Sequence, residues 1–162
     1  MILSAFTFFH VVLSLVGIGA GFVVVYGLLA SKRLDGWTAL FLTTTVATSV
    51  TGFLFPFHGF LPSHALGIVS LIVLAVAMLA RYRFGLAGGW RRTYAITAVV
   101  AQYLNVFVLI VQLFRKVPAL NAIAPAQSEP PFQITQLIGL ILFTTLAIGG
   151  AIKFRAEPSR TA

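Results

Sequence analysis

The chain has 162 residues, of which 59% are hydrophobic and 9% charged, where a soluble domain carries about 25% charged residues. A mean hydropathy of +1.02 and only three acids, Asp35, Glu129 and Glu157, exclude a water-soluble globule and leave no carboxylate pair for acid–base catalysis. The formal net charge of +8 sits in short basic clusters between long apolar runs, which is membrane topology and not a nucleic-acid-binding face.

A hydrocarbon core of about 30 Å takes about 20 helical residues, and five uncharged runs are long enough to cross it. The first, residues 6–30, follows an N-terminus without a basic n-region, so it reads as a retained span and not a cleaved signal. Gly17 and Gly21 form a small-xxx-small pair within it that admits a neighbouring backbone, from this chain or from a second copy in a homo-oligomer. Helical steps along that face reach Ser14 and then His10.

The second run, 37–57, carries seven hydroxyls, at Thr38, Thr43, Thr44, Thr45, Thr48, Ser49 and Thr51. Such residues suit a helix facing other helices, where they bond across the interface or back to their own carbonyls. The third run, 64–80, is the shortest, and Leu61–Ser63 with the snorkelling stems of Arg81 and Arg83 extend it. Between these two runs, FPFHGFLPSH sets His58 and His64 across a turn stiffened by Pro56 and Pro62.

The fourth run, 93–114, aligns Gln102, Asn105, Leu109, Gln112 and Lys116 on one helical stripe. Amides in hydrocarbon need partners, so this stripe faces helices, water or a ligand. An outer loop, 115–133, holds four prolines and Glu129, and its start at Pro118 predicts a short helix that could lie over the bundle. The fifth run is 134–152. Every basic residue except Arg115 and Lys116 then falls on one side, which places the N-terminus outside and the C-terminus inside.

The expected fold is therefore all-α: a single transmembrane domain, 1–162, of five helices in the lipid bilayer. All three histidines, Glu129 and the outer half of the amide stripe lie toward one face. That convergence predicts a polar pocket open to the periplasm, lined by His10, Thr48, Thr51, Asn105 and Gln112 and rimmed by His58, His64 and Glu129. A non-enzymatic membrane component fits best. One alternative is a transition-metal site on His10, His58, His64 and Glu129, or a haem b held by His10 and His64 in an electron-transfer or sensor protein. Another is a small channel or transporter along the hydroxyls and amides, although no charged residue within a run offers ion or proton coupling. The absence of cysteine, GxSxG and HExxH argues against thiol, nucleophile-elbow and zinc-protease chemistry.

The stretches LFLTTTVATSVTGFLFPF, PSHALGIVSLIVLAVAMLARYR and YLNVFVLIVQLFRKVPALNAIAPAQSEPPF resemble a group of small multi-spanning bacterial inner-membrane proteins with no assigned activity. The resemblance implies a bacterial inner-membrane location and no catalytic residue.

Overall fold

The computed structural model describes residues 2–55 and 62–155. All regular structure among them is helical: α1 (Ile2–Leu29), α2 (Asp35–Gly52), α3 (Pro62–Met78) continuing into a π-helical turn (Leu79–Arg83), α4 (Trp90–Lys116), α5 (Pro118–Ile123) and α6 (Pro130–Lys153). Of the loop histidines expected at the outer face, His58 lies outside the described residues.

The breaks between helices have local causes. After α1, Ser31 takes a left-handed conformation (φ 54°), and Lys32 N–H bonds Gly27 C=O while Ser31 N–H bonds Leu28 C=O. These are the two bonds of a Schellman cap, and they turn the chain directly into α2. Val117 is extended before Pro118, the first residue of α5, since a residue preceding proline avoids the helical region. Pro130 and Pro131 open α6 in the same manner, where their missing N–H groups cost nothing. The short helix expected at Pro118 is present.

Four segments are long and apolar enough to cross a membrane: Ser4–Leu29, Ser63–Arg83, Trp90–Lys116 and Pro130–Lys153. Five were expected. The second run forms a helix, but one that begins at Asp35, ends at Gly52 and is diluted by its hydroxyl residues. It nevertheless lies antiparallel against α1 along its whole length. His10 meets Thr51, Gly17 meets Thr44 and Gly27 meets Leu34, so each advance of seven and then ten residues on α1 is matched by an equal retreat on the α2 side.

α4 is the central helix and packs against α1, α3 and α6, while α2 sits between α1 and α3. The core comprises Leu28, Phe41, Leu74, Ala77, Tyr94 and Val99 among others. Small residues on α4 (Ala95, Ala98, Ala101) are fully buried and let its neighbours approach. The outward faces are apolar instead of charged, with Phe8, Ile72, Ile141 and Ile152 all more than half exposed. That inversion is what a lipid solvent requires.

The π turn at the end of α3 changes the expected position of Arg81. Phe84 N–H reaches back five residues to Leu79 C=O, and Leu86 N–H reaches Ala80 C=O. This wider turn swings Arg81 into the bundle, where its side chain is 3% exposed, instead of letting it snorkel. Arg83 remains exposed.

Candidate functional site

The polar groups of α1, α2 and α4 meet in one interhelical seam. At the end nearer the start of α1, His10 Nδ1 lies 2.8 Å from Thr51 Oγ1. The Thr51 hydroxyl already donates to Ala47 C=O at 2.7 Å, so its one proton is committed and the histidine must be the donor. In the tautomer protonated on Nδ1 the histidine donates to Thr51, and Nε2 then has no hydrogen-bond partner among the described residues. Phe55 meets the imidazole edge-on at 5.1 Å between centroids.

One turn deeper, the Thr48 hydroxyl is buried without a hydrogen-bond partner. Asn105 Nδ2 donates to Thr45 Oγ1 at 3.2 Å, joining α4 to α2. Gln102, fully buried, donates from Nε2 to Ile18 C=O at 2.9 Å, a carbonyl of α1. Its Oε1 is buried and unpartnered, pointing at Gly21. The small pair expected on α1 is thus occupied within the chain: a Cβ on Gly17 would touch Thr44, and one on Gly21 would collide with Gln102.

Phe41, fully buried, packs beside Gly21 next to Gln102. Beyond it a second polar cluster begins. Thr38 Oγ1 and Tyr94 Oη share a hydrogen bond at 3.3 Å, the Arg81 guanidinium lies 5.1 Å from the Tyr94 ring, and Arg81 is bonded to Asp35. Arg33 adds a second, longer contact to the same carboxylate at 3.6 Å. Neither Arg81 nor Asp35 stands out in the sequence as a site residue. No local signal joins residues 46 positions apart. Gln102, by contrast, stood on the amide stripe and was legible there.

The other expected residues distribute as follows. His64 is buried and stacks on Phe53 at 5.8 Å, so His10 and His64 both lean on the aromatic segment that follows α2. Gln112 is exposed on α4. Glu129 caps its own loop: Oε1 accepts from Ala126 N–H at 3.1 Å and Oε2 from Ser128 N–H at 3.0 Å. Gln127 and Gln136 donate to the α4 carbonyls of Val111 and Phe107, which stitches the loop and the start of α6 onto α4. Among the described residues no three of His, Cys, Asp and Glu come together as a metal site.

Desolvation raises the Glu129 pKa, but N–H groups at Ala126, Glu129, Ser128 and Gln127 together outweigh it and hold the carboxyl below the ordinary glutamate value. The loop contacts of the charged form are therefore complete above that ordinary value and are lost as the pH falls through the depressed one. In an NMR titration the Ala126 and Ser128 amide shifts should move with a midpoint below that of an unfolded-chain glutamate. Glu129→Gln should abolish the transition, and a midpoint at or above the ordinary value would contradict the cap.

Comparison with protein-family models, with curated proteins and with solved structures finds no match. The class of the protein rests on its own architecture. Four helices long and apolar enough to cross a bilayer, with apolar outward faces, make it an all-helical membrane protein.

Proposed function

We propose that the chain is a five-span, non-enzymatic component of a bacterial inner membrane, N-terminus outside and C-terminus inside, with a polar pocket open to the periplasmic face. The fifth span is α2. Its antiparallel register with α1 from His10–Thr51 to Gly27–Leu34 supports this, because a helix that tracks a membrane span over that length shares its depth. The pocket is the outer part of the seam, lined by His10, Thr48, Thr51 and Asn105, with Gln112 further out on α4 and with His64 and Glu129 at the rim, while His58 lies outside the described residues.

The observation that carries the pocket is unused hydrogen-bonding capacity in a buried place. Thr48 Oγ1 and Gln102 Oε1 lack partners, and such groups in an apolar interior cost free energy unless water or a ligand meets them. Phe41, fully buried and packed beside Gly21 next to Gln102, supports a pocket entered from one side over a through passage.

The natural absence of cysteine makes the test direct. Thr48→Cys should react with a small membrane-impermeant thiol reagent added from the outer side, whereas Leu74→Cys, in the apolar core, should not. Equal protection of both would make the seam dry packing and remove the pocket.

A second reading draws on one further feature: the free Nε2 of His10, with His10 and His64 both resting on the Phe53–Phe55 segment that leads toward His58. These imidazoles would bind a transition metal or an iron porphyrin. Elemental analysis of protein in mild detergent, beside His64→Ala, decides it. Stoichiometric metal lost in the variant supports the reading, and metal-free wild type ends it.

A further inference from the structure

We propose that the end of the bundle opposite His10 carries a binding site for an anionic phospholipid, with the phosphate held by Arg91, Arg92 and Arg155 and an acyl chain lying between α4 and α6. Two adjoining cavities carry the proposal. The first, about 570 Å³, is lined by Leu86, Gly88, Arg91, Arg92, Ile152 and Arg155. Three arginines line it, and no carboxylate of the described residues does. Asp35 is engaged by Arg81 and Arg33, Glu129 is engaged by its own loop at the far end of α6, and Glu157 lies outside the described residues.

Arg91 Nη1 is buried and has no hydrogen-bond acceptor among the described residues. A charged donor withdrawn from water in that way calls for an anion. The start of α4 adds only the positive end of its helix dipole to the same field, since Trp90 and Arg92 N–H are already bonded to Ala87 and Gly89 C=O.

The second cavity, about 700 Å³, shares Arg92 and Ile152 with the first and continues along the α4–α6 surface past Ile96, Val100, Tyr103, Leu140, Phe143 and Ile148. From Arg92 to Tyr103 is eleven residues, or about 16 Å of helix. That is about half of a 30 Å hydrocarbon core, the depth of one leaflet. A phosphate cleft that opens into an apolar groove one leaflet deep matches a lipid in both of its parts. A free anion would use only the first. On the orientation proposed above the site faces the cytoplasmic leaflet, where basic pockets between helices hold anionic headgroups.

The test is native mass spectrometry of the full chain exchanged with equal amounts of phosphatidylglycerol and phosphatidylcholine. Wild type should retain phosphatidylglycerol about tenfold over phosphatidylcholine, as expected for one charge-assisted contact set. Arg155→Gln, at an exposed position that the fold tolerates, and Arg91→Gln should each bring the ratio close to unity. The control Arg115→Gln/Lys116→Gln, basic residues at the other end of α4, should leave it unchanged. Ala147→Phe, which fills the groove, should also lower lipid retention while leaving the arginines in place. Equal retention of the two lipids by wild type, or an equal loss in the control, would overturn the proposal. Displacement of the lipid by millimolar inorganic phosphate, with Ala147→Phe silent, would make this a site for free phosphate and overturn the lipid assignment.

Discussion

Asp35→Ala should destabilise the protein far more than Arg81→Met, although the two residues are partners. The Arg81 side chain is 3% exposed and that of Asp35 is 68% exposed. Removing the aspartate strands a charged guanidinium inside the bundle beside Tyr94. Removing the arginine leaves a carboxylate that water already reaches, and methionine refills the apolar space. Breaking a fully buried pair costs 3–5 kcal/mol, and the exposure of Asp35 reduces this to about 2 kcal/mol here, with a fraction of a kcal/mol more for an acid lost from the first turn of α2. Arg81→Met should cost about 1 kcal/mol or less. Thermal unfolding in detergent should show the order, and the double variant should be more stable than Asp35→Ala alone. Equal losses from both single variants would mean that the pair is not asymmetric in its burial.

Gly21→Ala should be the most damaging single-methyl addition on α1. A Cβ there would lie 1.9 Å from Gln102 Oε1 and 2.9 Å from Phe41 Cε2. The amide cannot swing aside freely, because it is fully buried and its nitrogen is bound to Ile18 C=O. Overpacking of this kind costs about 1–3 kcal/mol. Loss of the buried hydrogen bond adds about 1 kcal/mol more, against a gain of about 1 kcal/mol in helix propensity. We expect a net loss of about 2 kcal/mol. Gly19→Ala supplies the control on the same helix, since nothing lies within 4 Å of its added Cβ, and it should be neutral or mildly stabilising. Gly21→Ala/Gln102→Ala should recover part of the loss, because the second change removes the colliding atoms. Unchanged stability in Gly21→Ala would show that α1 and α4 do not approach closely at Gln102.

Both effects bear on what the residues disclose before folding. Helix positions were readable because length, charge and proline are properties of a short window. Pro118 announced α5, and the run from Gly17 back through Ser14 to His10 identified the face that meets α2. The stripe from Gln102 to Lys116 gave the correct angle on α4, but angle does not give depth. Gln102 proves fully buried and Gln112 exposed, because neighbouring helices cover only the inner part of that face. The inward turn of Arg81 was not readable at all. A π turn is one shift in hydrogen-bond register, and LARYR carries no residue that demands it. The same holds for the arginine cleft, whose members come from the start of α4 and the residues just beyond α6.

The hydroxyl-rich character of α2 has a consequence for the order in which the chain can be built into a membrane. Thr45 obtains its α4 partner from Asn105, which is 60 residues later in the chain. At roughly 5–20 residues synthesised per second, that partner arrives about 3–12 s after Thr45 itself. During that interval α1 is already made and α3 is completed, so both helices that flank α2 precede its α4 partner, and the α1 register is available as soon as Thr51 emerges. On the five-span reading proposed above, α1 and α2 would enter the bilayer as a hairpin, α3 would cover α2 next, and α4 would add the Thr45 contact after both.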